Sequence, residues 1–265
     1  MQQEVIIVGG GMVGLSLALM LAKQNIAVKL LEAIKYPNYD DVNLAPYHSS
    51  FDARNSAWSR RTVQIYQELG LWNALQEHAT PILEVNITEQ GSFGKARLKA
   101  EQEKVESFGQ VIENAWLGRV LLTEVQKQTL IELIDGVQVT QLTQDADMAY
   151  IDASRGEEQL SLQAKLVIAA DGRDSFCRKA LGIGASEHDY DQVAIVTTVQ
   201  TSKPHDHVGF ERFSPLGPLA LLPLPGEYRR SVVWPVPKGT EGEWLGDEHD
   251  QHFLDALQET YGDRA

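Results

Sequence analysis

A chain of 265 residues with 43% hydrophobic and 23% charged side chains is long enough for one large domain or two intimate smaller ones, and its composition shows no sign of disorder. Its 37 acidic against 23 basic residues leave a net charge of −14, which argues against nucleic acid as a partner, because phosphate backbones need a basic face. An anionic membrane is likewise a poor partner for the chain as a whole, although a local basic patch escapes that average. The one cysteine, Cys177, permits no intrachain disulfide, as expected for a reducing, cytoplasmic setting.

Residues 5–22 are apolar, but four glycines interrupt them, no basic segment precedes them and Lys23 ends them. They read as neither a signal peptide nor a membrane span. The spacing predicts a strand over 4–8, a glycine turn, a helix over 12–24 and a strand over 28–32. This is a βαβ unit with a parallel pair. Residues 35–52 are rich in Pro, Asn and Asp and predict a long loop. A helix is expected through "SAWSRRTVQIYQEL", with Gly70 as its C-cap.

From 82 to 112 the pattern is strand-like and broken by turns, and "GRVLLTEVQKQTL" returns to helical spacing. Short strands are expected around Val137, Tyr150 and Leu160, the last two separated by the turn "SRGE". "KLVIAADG" reads as a buried parallel strand with an acid at its end. Beyond residue 185, "QVAIVTTVQT", "VGFERF", "PLALLPLP" and "RRSVVWPVP" predict successive strands of an antiparallel sheet, with Pro225-Gly226 as a turn and a last helix over 249–261. The expected fold is α/β in an α+β two-domain arrangement. A Rossmann-like domain (1–81 and 113–184) is interleaved with a sheet-based domain (82–112 and 185–265).

Gly9, Gly11 and Gly14 are spaced G-x-G-x-x-G. The first permits a tight turn, the second lets a pyrophosphate approach the backbone, and the third lets helix pack on strand. The helix N-terminus offers unsatisfied N–H groups and the positive end of its dipole. Alone the pattern is weak; here a strand precedes it, a helix follows, and Glu32 closes the second strand, where a carboxylate can accept from both ribose hydroxyls. NAD and FAD share that half of the molecule, so the turn leaves the choice open.

A second motif lies about 140 residues further on. In "AADGRDSFCRKALGI", Asp171 ends a strand, Gly172 permits a turn, and Ser175 and Arg178 complete D-G-x-x-S-x-x-R into a helix. An ordinary N-capped turn accounts for Asp171 and Gly172 but not for the whole string. Taken in order, the glycine turn with Glu32, "FDARNSAWSRRTVQIYQELGLW" and this string resemble the flavin-dependent aromatic hydroxylases of the p-hydroxybenzoate hydroxylase fold. "FERFSPLGPLALLPLP" and "SVVWPVP" point to the ubiquinone-biosynthesis branch of that family. The resemblance covers essentially the whole chain.

The resemblance implies FAD as cofactor, NAD(P)H as transient reductant, and O₂ with a hydrophobic prenylated phenol as substrates. Gly9, Gly11 and Gly14 would hold the pyrophosphate and Glu32 the adenosine ribose. Arg54 and Arg119 would contact the flavin phosphates or ribityl chain, as suits a bidentate guanidinium. Asp171 would support the same cofactor and the nicotinamide path. A solvated surface arginine remains the other reading of Arg119. Leu219 and Leu221 in the uncharged "PLALLPLP" suit a wall against an apolar ring, with Arg212 and Phe213 lining the same cavity; a buried core strand gives the same pattern. Contact with a membrane or with a ubiquinone-biosynthesis complex fits such a substrate. A hydroxylase of a small soluble aromatic and a non-catalytic flavin-binding module are the competing readings.

The family's later Gly-Asp, His-Pro and glycine-rich segment has no counterpart in residues 1–265. Gly246-Asp247 and Gly262-Asp263 lack the glycine-rich sequel. The chain is therefore expected to be the N-terminal part of a longer hydroxylase. The seven histidines are scattered, so no metal set and no nucleophile–base pair is expected, and Cys177 reads as packing.

Overall fold

The computed structural model describes residues 5–36 and 51–262. In chain order, the first elements are β1 (Val5–Val8), α1 (Met12–Lys23), β2 (Val28–Glu32), β3 (Asn55–Ser59), α2 (Arg60–Glu68) and α3 (Trp72–Leu75). Then come β4 (Ala79–Ile82), β5 (Glu84–Glu89), β6 (Lys95–Lys99), β7 (Gly109–Glu113) and α4 (Asn114–Lys127). A run of strands follows: β8 (Ile131–Asp135), β9 (Gln138–Gln144), β10 (Ala149–Arg155), β11 (Glu158–Ala164) and β12 (Leu166–Ala169), closed by α5 (Phe176–Ala180). The last elements are β13 (Gln192–Gln200), β14 (Val208–Ser214), β15 (Gly217–Pro223), β16 (Arg229–Pro237) and α6 (Asp250–Tyr261).

Two compact units share these elements. The first draws on Met1–Ala53, Leu69–Ala74 and Asn114–Ser186, the second on Arg54–Glu68, Leu75–Glu113 and Glu187–Ala265. The mixed α/β class expected from sequence is the class observed.

The first unit is built on a parallel sheet of order β12-β1-β2-β8. Both faces of β1 are buried, which is why "VIIV" is apolar at every position. Ile6, Val8 and Leu31 pack with Val139, Leu142, Ile151 and Ala164 of the three-stranded antiparallel sheet β11-β10-β9. Ile7 faces α1, its Cγ2 lying 3.5 Å from where a Cβ on Gly14 would stand. The apolar faces of α1 (Leu15, Ala18, Leu19, Ala22) and α4 (Leu117, Leu121, Leu122, Val125) are buried as amphipathic spacing requires.

The second unit contains a six-stranded sheet of order β13-β16-β15-β14-β5-β6 and a small sheet of order β3-β7-β4. The large sheet departs from the expected antiparallel one at a single junction, where β14 runs parallel to β5. One face is closed by α6: Phe253, Leu257 and Tyr261 pack on Ile195, Leu219, Leu221, Val232, Trp234 and Val236. The small sheet closes part of the other face through Ile82, Val111 and Phe108 against Val85 and Leu222.

Three expectations are corrected. Residues 56–59, read as the start of a helix, form β3, because Ser56 pairs with Ile112 of β7 and Trp58 with Gln110; the helix begins only at Arg60. β8 adds a strand that no expected element covers, since "IELID" is short and half-buried, yet it pairs with all of β2. Pairing of β3 and β4 with β7 also places residues 54–68 and 75–81 in the second unit instead of the first. The expected strand start at residue 4 and most of the 35–52 loop lie outside the described residues.

Candidate functional site

Within the first unit, β1 hands over to α1 on one side, while β12 lies on its other side. The crevice at the carboxyl ends of β1 and β12 is therefore the topological switch point of the parallel sheet, where open α/β sheets bind ligands. The two sequence motifs meet there. Gly9 follows β1 and Asp171 follows β12, and a Cβ on Gly9 would run into the Ala170 carbonyl and the Asp171 amide.

The glycines are required by contact as well as by conformation. Gly9 has φ +106°, a region open in practice only to glycine. A Cβ on Gly14 would strike the Gly9 carbonyl, so the third glycine lets α1 sit directly on the turn. Gly11 is the N-cap of α1, with no side-chain cap bond and no acidic residue in the first turn. The first N–H groups of α1 thus keep their donor capacity and positive dipole end for an anion. These features fit a dinucleotide pyrophosphate.

Glu32 is 7% exposed and is fixed by two backbone donors. Gly10 N donates to Oε2 at 2.5 Å and Ile34 N to Oε1 at 2.8 Å. A carboxylate has about four lone-pair directions, so this anchored group can also take ribose hydroxyls. Tyr36, at the start of the loop expected over 35–52, closes the arrangement. Its hydroxyl donates to the Gly10 carbonyl at 2.5 Å, and its amide donates to Asp135 Oδ2 at 2.9 Å. No motif marks Tyr36; only the fold brings it back over the turn.

Asp171 serves its own turn first. Ser175 Oγ donates to Oδ1 at 2.6 Å, Cys177 N donates to Oδ2 at 3.0 Å, and Ser175 Oγ accepts from Arg178 N at 2.9 Å. Three positions of D-G-x-x-S-x-x-R are therefore linked by capping bonds. Burial alone would raise the Asp171 carboxyl, but the bonds from Ser175 and Cys177 outweigh it and hold it below the ordinary value. Burial, reinforced by Asp171, pushes the Cys177 thiol up to about 12, so it is a packed neutral thiol and no nucleophile.

A group depressed in the folded state stabilises above its unfolded pKa, about 3.9 for Asp, and ceases to do so as pH falls through the lower folded value. Asp171→Asn should therefore cost on the order of 1 kcal/mol at pH 7. Its deficit against wild type, read from urea midpoints, should shrink below about pH 4.

The structure thus brings Gly9, Gly11, Gly14, Glu32 and Asp171 to one edge of one sheet. Arg119 stands on α4 of the same unit, its guanidinium 5.6 Å from the Trp116 ring centre. Arg54 is exposed and belongs to the second unit.

The residues expected to line a substrate cavity divide between two faces of the large sheet. Leu219 and Leu221 are 0% and 3% exposed in the core under α6, which corrects their reading as a cavity wall. Arg212 pairs with Leu219 and so shares that covered face, where it donates to Thr88 Oγ1 at 3.3 Å. Phe213 points the other way and is 48% exposed. The apolar run set the strand correctly but not its sidedness, because every residue of "PLALLP" is apolar and no alternation marks a face.

Among the described residues there is no cluster of His, Cys, Asp and Glu that could hold a metal ion, and no helix is long and apolar enough to cross a membrane.

Residues 2–265 match a family described as the FAD binding domain. The chain is 32% identical over 260 residues to the ubiquinone hydroxylase UbiL of Rhodospirillum rubrum, covering 98% of this chain and 58% of that protein. It is 32% identical over 233 residues to the 3-demethoxyubiquinol 3-hydroxylase of Escherichia coli, covering 87% of this chain and 56% of that one. The chain therefore spans just under three-fifths of the length of these curated relatives. In fold it resembles p-nitrophenol 4-monooxygenase PnpA of Pseudomonas putida, with a TM-score of 0.75 at 18% identity over 98% of this chain and 62% of that one. Klebsiella pneumoniae HpxO, solved with FAD and uric acid, gives a TM-score of 0.70 at 20% identity over 98% of this chain and 62% of that one.

Proposed function

The chain belongs to the FAD binding domain family, so its dinucleotide is FAD, and from that premise we propose that it is part of an NAD(P)H-using monooxygenase that hydroxylates a polyprenylated phenol in ubiquinone biosynthesis. The observation that carries the reading is its 32% identity, over most of its length, to a ubiquinone hydroxylase and a 3-demethoxyubiquinol 3-hydroxylase. Bound FAD supplies the redox chemistry by which one atom of O₂ is inserted into an aromatic ring.

The chain's own contribution is binding and orientation. The first turn of α1, with Gly9, Gly11 and Gly14, receives the pyrophosphate, and Glu32 receives the adenosine ribose. Arg119 supplies charge toward the phosphates or ribityl chain, and Asp171 shapes the floor of the crevice between β1 and β12. NAD(P)H is bound transiently, consistent with a sequence that carries one glycine-rich nucleotide turn. The partners of this reading are O₂, an apolar phenol, and the membrane or biosynthetic assembly that delivers so hydrophobic a substrate. A cytoplasmic site of action goes with it.

The test is the flavin spectrum and FAD-to-protein ratio of the purified chain, followed by NADPH oxidation with a short-chain prenylphenol and with a simple phenol. Near-stoichiometric FAD and coupled hydroxylation of the prenylphenol are expected. Preference for the simple phenol would favour a soluble aromatic substrate. NADPH oxidation that never yields hydroxylated product would favour a flavin-binding module, and tight binding of NAD with indifference to FAD would overturn the reading altogether.

A further inference from the structure

The open face of the large sheet carries one register row across all six strands. Ala96 pairs with Ile87, Ile87 with Glu211, Glu211 with Ala220, Ala220 with Val233, and Val233 with Val196. Directly paired residues project to the same side of a sheet, so these six side chains form a line away from α6. Five are apolar, and the sixth is a carboxylate. Leu98, Val196 and Phe213 are among the chain's exposed large apolar side chains, at 44%, 37% and 48%, and all three stand on this face. The small sheet covers Leu222 and Val85 one row away.

Glu211 is the anomaly in the row. It is half-buried, and among the described residues no donor reaches its carboxylate, whereas Glu84 of the same sheet pairs with Arg97 at 3.1 Å on the opposite face. Its environment pushes the carboxyl above the ordinary range through burial alone. A carboxylate held half out of water with nothing to accept from is costly. A donor from a bound ligand would relieve that cost. On one flank stands Ala220, whose side chain is a single methyl group.

We propose that Glu211 accepts the hydrogen bond of the substrate's ring hydroxyl on this face, with Ala220, Val233 and Ile87 as the apolar floor under the ring. This rests on the phenol reading above and deepens it by naming the residue that recognises the hydroxyl. The bond increases electron density on the ring carbons ortho and para to that oxygen, where an electrophilic oxygen is added. The same carboxylate selects against ring ethers at this position, which have no proton to donate.

The experiment compares binding of a short-chain prenylphenol and its O-methyl ether to the FAD-loaded protein, read by tryptophan fluorescence titration, for wild type, Glu211→Gln and Glu211→Leu. Wild type should bind the phenol about tenfold or more tightly than the ether, as expected for a hydrogen bond to a charged acceptor. The ratio should drop severalfold in Glu211→Gln and approach one in Glu211→Leu, with FAD content unchanged in both. Equal binding of phenol and ether by wild type overturns the proposal without any variant, and so does a ratio that survives in Glu211→Leu. If wild type binds neither ligand, the phenol reading itself fails and the role of Glu211 falls with it.

Discussion

Glu32→Ala should weaken FAD binding by roughly 100- to 1000-fold, about 3–4 kcal/mol, measured by flavin fluorescence titration. Two losses add. The ribose hydroxyls lose a charged acceptor, worth about 1.5–3 kcal/mol for each such bond. The Gly10 and Ile34 amides, which donate to Glu32 at 2.5 and 2.8 Å, lose the partner that fixes the turn. Glu32→Gln separates these effects. The amide keeps one acceptor oxygen but turns an NH₂ toward a backbone donor, so its affinity should lie between those of alanine and wild type. Unchanged affinity in Glu32→Ala, with the protein still folded, would remove Glu32 from the cofactor site.

Gly9→Ala should lower stability by about 3 kcal/mol or more and the unfolding midpoint by roughly 10 °C, with FAD binding lost in parallel. At φ +106° any side chain is strained, and the added Cβ meets backbone of Ala170 and Asp171, which cannot swing aside. Moving that backbone pulls β12 away from β1, whose pairing runs through Val8 and Ala169. Gly70→Ala is the matched control. Gly70 also has positive φ, +78°, but nothing lies within 4 Å of its Cβ position, so only the conformational cost of about 1 kcal/mol should appear. Equal effects at the two positions would show that the contact between turn and β12 contributes nothing.

The sequence was most legible where one physical demand fixes several residues at once. An apolar strand, three glycines at fixed spacing and a closing acid cannot easily be anything but a βαβ nucleotide turn, and the structure puts β1, α1 and β2 where that pattern puts them. It was least legible where two structures share one pattern. "SAWS" is compatible with helix or strand, and only pairing with β7 decides. "PLALLP" is apolar on both faces, so composition could not show that Leu219 lies in the core while Ala220 lies on the open side. Tyr36 and Glu211 carry no motif. Each matters because of what distant chain segments bring beside it: the Gly10 carbonyl for one, an apolar row drawn from five other strands for the other.

The pairing of Val5 with Leu166 also bears on how the protein is made. β1 leaves the ribosome about 160 residues before its second neighbour, on the order of ten seconds or more at ordinary elongation rates. Until then a fully apolar strand has one open edge, the arrangement most prone to pairing with a foreign strand. Contacts this distant in sequence are also slow to form. Nascent chains should therefore depend on chaperone capture through most of translation, and slowing synthesis upstream of β12 should lower soluble yield more than slowing it downstream.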